Sequence, residues 1–122
     1  MSVQHEEHEQ ILVMHWARVQ QGTIPELKLL YHVPNEGKRT ASAGGRLKAA
    51  GMRAGVPDLC LPVPRGGYHG LYIEMKYGKN KPTQAQNEWL DALREQGYFT
   101  AVCYGFYETV NTIRQYLQGG KA

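Results

Sequence analysis

Residues 71–79 read LYIEMKYGK, and the fold turns on how that string is placed. Leu71, Tyr72 and Ile73 open a buried β-strand, yet Glu74 and Lys76 interrupt it two residues apart. Successive strand side chains alternate between faces, so Ile73 and Met75 point one way and Glu74 and Lys76 the other. A carboxylate and an ammonium at the end of an apolar strand have two readings. One is an exposed edge with a solvated ion pair; the other is a functional site.

Outward from that strand, the upstream string PDLCLPV (57–63) is a second strand, joined to GLYIEMKY (70–77) by PRGGYHG (64–70), a Gly-rich hairpin connection. Downstream, Thr83 opens a helix over TQAQNEWLDALREQ, closed by Gly97 in the position past its end. YFTAVCYG (98–105) is another strand and FYETVNTIRQYL (106–117) a final helix, with Val110, Ile113 and Leu117 on one stripe. Nearer the N-terminus, EHEQILVMHWARVQQ (7–21) reads as a helix apolar around much of its circumference. GTIPE ends it, LKLLYHV (27–33) is a strand, and ASAGGRLKAAGMR (41–53) a helix whose start Gly44 and Gly45 weaken. One hairpin plus one strand–helix–strand crossover predicts an α/β fold with a mixed sheet flanked by helices.

At 122 residues the chain is one domain with a single core. Apolar content of 42% with 20% charged residues is that of an ordinary globular chain, and no apolar run is long enough to span a bilayer. The polar, acidic start MSVQHEEHEQ is unlike a signal peptide, so a cytoplasmic protein is expected. Cys60 and Cys103 sit inside apolar strand-like runs and read as buried, reduced thiols. The net charge of +3 is unevenly spread: residues 28–53 alone carry +5, interleaved with Gly and small residues. That pattern suits a loop and short helix facing a polyanion.

Asp58 precedes the hairpin, and antiparallel pairing brings it beside Glu74. Two carboxylates forced together repel unless one is protonated or a cation lies between them. Hard oxygen ligands suit Mg²⁺ or Mn²⁺, with the Met75 backbone carbonyl as a further ligand. Such an ion acidifies water and polarises a phosphoryl oxygen, and Lys76 would orient that water or stabilise developing charge. Gln86 shares an inward stripe with Trp89, Leu90 and Leu93, and also completes T-x-x-Q with Thr83, the sequence of a capping box. Glu6 and Gln10 continue the Val13/Ala17 face of the first helix, where Glu7 and Glu9 are neighbouring alternatives.

Together, GVPDL, IEMK and the Q-x-x-W-L helix, with the E-x-x-x-Q start at Glu6 and Gln10, resemble the VRR-NUC family of the PD-(D/E)XK nuclease superfamily in its stand-alone form. The resemblance covers nearly the whole chain, residues 1–122 as one domain. It implies an αβββαβ core of the restriction-endonuclease-like class and metal-dependent hydrolysis of DNA phosphodiesters. It makes Asp58 and Glu74 metal ligands, Lys76 the catalytic lysine, Gln86 an accessory active-site residue and Glu6 the helix-1 acid. Stand-alone members look like Holliday-junction resolvases, so a homodimer acting on branched DNA is implied. Lys38, Arg39, Arg46, Lys48, Arg53, Lys79 and Lys81 are the expected phosphate contacts, with His69 in the hairpin connection a remote further candidate. Where relatives often read PNGG, this chain has Asn35 followed by Glu36 and Gly37, an acid in the loop expected to meet DNA.

Three rival readings differ in what they leave unexplained. His5, Glu6, Glu7 and His8 approach a zinc-hydrolase motif, but the histidines are three apart where the motif needs four. A binding-only DNA module accounts for the basic segment and not for Asp58 and Glu74, which repel phosphate without a cation. A nuclease of the same fold acting as a nickase or on duplex or flap DNA keeps the site and changes the substrate.

Overall fold

The sheet of the computed structural model, which describes residues 2–34 and 41–119, has the strand order β1-β2-β3-β4. Its elements run α1 (Ser2–Gln20), a 3₁₀ turn (Pro25–Leu29), β1 (Tyr31–His32), α2 (Ala41–Ala49), β2 (Leu59–Leu61), β3 (Leu71–Lys76), α3 (Gln84–Glu95), β4 (Phe99–Tyr104) and α4 (Gly105–Leu117). β1–β2 and β2–β3 pair antiparallel, β3–β4 parallel. The parallel pair requires a crossover, and α3 supplies it. The mixed sheet flanked by helices is the architecture expected from the pattern of elements.

Alternation in β3 divides the molecule. Leu71, Ile73 and Met75 face a core with Leu59, Leu61 and Cys103 from the sheet, Val13 and Ala17 from α1, and Ile113 and Tyr116 from α4. Tyr116 closes that core with its phenol, which donates to the Val63 carbonyl at 2.6 Å. The opposite face takes α3, whose Arg94 guanidinium donates to the Thr100 hydroxyl at 2.7 Å. Both faces of β3 are therefore covered, which is why Glu74 and Lys76 are buried along with their apolar neighbours.

Three boundaries differ from expectation. α1 begins at Ser2, because Glu and Gln in the HEEHEQ run extend a helix readily. The strand expected over 27–33 is a 3₁₀ turn followed by a two-residue strand. Pro25 presets the helical φ at the start, and the Leu27 and Leu30 amides bond back three residues to Ile24 and Leu27. The strand expected over 57–63 keeps only Leu59–Leu61, trimmed by Pro57 and Pro62, which cannot donate to a ladder. Between β2 and β3, Gly66 and Gly67 both take positive φ (57° and 89°) beside the Arg65–Tyr68 bridge, the conformation of a tight hairpin turn.

α3 starts as its sequence predicts. The Thr83 hydroxyl accepts from the Gln86 amide at 3.2 Å and the Gln86 side-chain oxygen accepts from the Thr83 amide at 2.9 Å. Thr83→Ala removes half of this box and is expected to lower stability by about 1 kcal/mol in urea denaturation. An unchanged midpoint would show that tertiary packing alone fixes the start of the helix.

Cys60 and Cys103 are buried, free thiols. Among the described residues no helix is long and apolar enough to cross a membrane.

Candidate active site

The hairpin register sets the first contact of the site. Leu59 lies opposite Ile73, so one rung further on Asp58 faces Glu74 on the same side of the sheet. Asp58 is held at both ends. Its Oδ2 accepts from the Met75 amide at 2.8 Å, and its backbone carbonyl accepts from the Val33 amide at 2.7 Å. His32 Nδ1 lies 2.9 Å from that same carbonyl and bonds it in the Nδ1–H tautomer. Met75 thus fixes the acid through its N–H, while Glu74 and Lys76 on either side of it project to the face that Asp58 occupies.

Glu74 is only 2% exposed and Lys76 8%. The Lys76 ammonium stands 3.7 Å from Glu74 Oε2, beyond a strong hydrogen bond, and Glu74 Oε1 is buried with no hydrogen-bond partner among the described residues. A buried carboxylate oxygen without a partner is costly and unusual, and a proton shared with Asp58 or a cation between the two carboxyls accounts for it. Burial above all, and then the Asp58 carboxylate, pushes the Glu74 carboxyl up to about 9 against the pull of Lys76. Burial also raises Asp58, opposed by the Met75 amide. In the metal-free protein a proton is thus retained in the pair at neutral pH, where a divalent cation would displace it.

The first helix contributes three nearby acids, and the structure separates them. Glu9 Oε1 accepts from the Phe106 amide at 2.7 Å and caps the start of α4. Glu6 Oε2 accepts from the Asn80 side-chain amide at 3.2 Å, and its charge adds to the upward push on Glu74. Glu7 is exposed. Of the three, Glu6 is the acid whose charge reaches Glu74.

Gln86 is half-buried at the start of α3, and its side-chain oxygen is committed to the capping box with Thr83. Arg46, Lys48, Arg53, Lys79 and Lys81 are all exposed, and Lys79 and Lys81 follow β3 directly, beyond Lys76. Lys38 and Arg39 lie outside the described residues, as does the Asn35–Glu36–Gly37 loop. His69 belongs at the opposite end of the sheet, where its ring packs on Tyr98 at 5.8 Å and over Gly97. The hairpin turn and the Glu74–Lys76 end of β3 are separated by the length of the strand, so His69 does not meet the acid pair. His32 and Asn80 went unrecognised in the sequence. The first sits in a strand of two residues and the second in a turn string, YGKNKP, whose composition marks a loop and nothing more.

Among the described residues no group of three or more His, Cys, Asp or Glu side chains is placed so that it could hold a metal ion. Two carboxylates, Asp58 and Glu74, are the donors this chain brings together. They are hard oxygens, and they suit a cation that keeps waters and takes phosphate oxygens as remaining ligands.

An α/β domain with a four-stranded mixed sheet and an acid pair beside a buried lysine at one strand end defines the class. The chain matches the VRR-NUC domain family over residues 3–107 and belongs to that family, whose members are nuclease-type domains. A solved structure described as a VRR_NUC domain protein is similar to it, with a TM-score of 0.81 and 32% identity over 96% of this chain and 91% of that one. Among curated proteins none matches the chain significantly.

Proposed function

We propose that this chain is a divalent-metal-dependent DNA endonuclease that acts as a homodimer on branched DNA, in the manner of a Holliday-junction resolvase. The observation that carries the reading is the Asp58–Glu74 pair, in which Glu74 is buried with its Oε1 unpartnered among the described residues and Lys76 beside it. Asp58, Glu74 and the Met75 carbonyl are the residues that would hold Mg²⁺ or Mn²⁺. When bound, such an ion supplies positive charge to a phosphoryl oxygen and lowers the pKa of water. Lys76 stabilises the charge that grows on the phosphate, and its burial strengthens that interaction. Glu6 adds a further negative charge near Glu74, and Gln86 is the accessory residue proposed on α3. Arg46, Lys48, Arg53, Lys79 and Lys81 hold the phosphate backbone, with Lys38 and Arg39 as further contacts from sequence alone.

A dimer surface is proposed on α1, away from the residues that face the core. Met14 and Trp16 are half-buried against the core, with Arg114 lying over the Trp16 ring at 5.6 Å. Among the described residues of that helix, Ile11 (59%), Leu12 (37%) and Val19 (62%) are apolar and exposed, and these are the ones proposed to meet a second copy. Monomer alone in equilibrium sedimentation at micromolar concentration would remove the dimer.

The deciding experiment incubates the protein with a four-way junction and a matched linear duplex, in Mg²⁺, in Mn²⁺ and in chelator. Paired, metal-dependent cuts in the junction alone are expected. Cutting of both substrates would keep the nuclease and discard junction selectivity, and binding without cleavage in either metal would move the reading to a binding-only domain. With phosphate contacts dominating, junction affinity should fall by about 10³-fold or more between 50 and 200 mM salt. A salt-insensitive complex would overturn the basic-residue assignment.

A further inference from the structure

The segment between β3 and α3 is tied into the site in a way the candidate chemistry does not use. Asn80 lies four residues past Lys76, and its side chain reaches back to α1 to donate to Glu6 Oε2 at 3.2 Å. Its own backbone is fixed twice: the amide bonds the Tyr77 carbonyl at 3.2 Å, and the carbonyl accepts from the Tyr104 phenol at 2.7 Å. Tyr104 is the residue paired with Lys76 in the parallel register, so β4 holds Asn80 from the same rung that carries the lysine. Beside this, the Tyr77 ring meets the His5 ring edge-on at 4.4 Å, one residue before Glu6. Glu9 secures the next turn of α1 on the Phe106 amide.

A half-buried carboxylate on the first turns of a helix, facing the segment that follows Lys76, is repelled by the Glu74 carboxylate. Something must hold it in place, and a neutral amide donor does so without cancelling its charge. We propose that Asn80 is a positioning residue: its amide keeps the Glu6 carboxylate turned toward Glu74, and so sets the affinity of the site for a divalent cation. Tyr104 acts one step further out, by holding Asn80. The inference rests on the metal-dependent reading above.

The test measures Mn²⁺ binding to the full chain, without DNA, by the electron paramagnetic resonance signal of free Mn²⁺. Asn80→Ala is expected to weaken binding by about tenfold or more, the usual scale for losing a partner that orients a metal-site group. Tyr104→Phe, which keeps the sheet and removes only the bond to the Asn80 carbonyl, is expected to weaken it less and in the same direction. In a Glu6→Gln background Asn80→Ala should cost nothing further, since the residue acts through Glu6. Wild-type affinity in both single variants would overturn the proposal, as would an equal loss with and without Glu6. Wild-type protein that binds no Mn²⁺ at all would overturn the metal-dependent reading as well. If Asn80→Ala does not fold, Tyr104→Phe and its cycle with Glu6→Gln decide the matter.

Discussion

Glu74→Gln is expected to stop cleavage and at the same time to make the metal-free protein more stable. Glutamine keeps the shape of the side chain and removes one of the two acids proposed to hold the cation. Several kcal/mol of transition-state stabilisation depend on that cation, so turnover should fall by about a thousandfold or more. The stability change follows from the proton on Glu74. Its carboxyl is pushed from its ordinary 4.5 to about 9 by burial and by Asp58. Between those values the native state keeps a proton that the unfolded chain has released. Stability of the metal-free wild type therefore falls as pH rises from about 4.5 toward about 9. Glutamine has no such proton, so the variant should match the wild type near pH 5 and exceed it by roughly 1–4 kcal/mol near pH 9. Urea denaturation in chelator at the two pH values measures this. Parallel curves for the two proteins would mean that Glu74 ionises freely, and the buried pair would then be wrongly described. Added Mg²⁺ should stabilise the wild type and leave the variant nearly unaffected.

Gly55→Ala is expected to cost about 3 kcal/mol and to disturb the site from three residues away. Gly55 has φ of 92°, and a Cβ there would sit 2.7 Å from both the carbonyl carbon and the oxygen of Ala85. The left-handed backbone alone is worth roughly 1–3 kcal/mol against a residue with a side chain. The close approach adds to it, because the atoms in the way are backbone at the start of α3 and cannot rotate aside. Relief requires moving either that helix, which carries Gln86, or the turn into Asp58. Gly45→Ala is the contrast, since nothing lies within 4 Å of its added Cβ and the residue is in α2. There the substitution should be neutral or stabilising by up to about 1 kcal/mol. Equal thermal melts for the two variants would show that the α3–turn contact is not tight.

The parts of this fold that sequence reveals are those specified within a few residues. The β3 alternation, the hairpin glycines, the Thr83–Gln86 box and the break at Gly97 are all local, and each lies where its residues predict. LKLLYHV failed because Leu27 and Leu30 bury equally well three apart in a 3₁₀ turn as they would in a strand, and Pro25 tips the choice. The Asp58–Glu74 juxtaposition was legible since one hairpin creates it. The partner that each acid of the first helix meets was not, because it depends on how α1 is rotated about its axis. Successive helical residues turn by about 100°, and only packing against β3 and α4 decides that Glu6 faces Asn80 while Glu9 faces Phe106. Asn80 and His32 were invisible for the same reason: a turn residue and an edge residue acquire roles only from distant partners.

The Asp58–Met75 contact spans 17 positions of chain, the Asn80–Glu6 contact 74 and the Glu9–Phe106 contact 97. Short loops close at lower entropic cost and sooner than long ones. The two acids are therefore expected to meet early, while water still surrounds them and their repulsion is weak. Their burial comes later, when α1 and α4 dock and the two ends of the chain meet. Pulse-labelled hydrogen exchange should find the β2–β3 amides protected before the amide of Phe106, and simultaneous protection would argue for a single concerted step. The reactive part of this molecule would then be assembled as an open, hydrated hairpin and enclosed only as folding finishes.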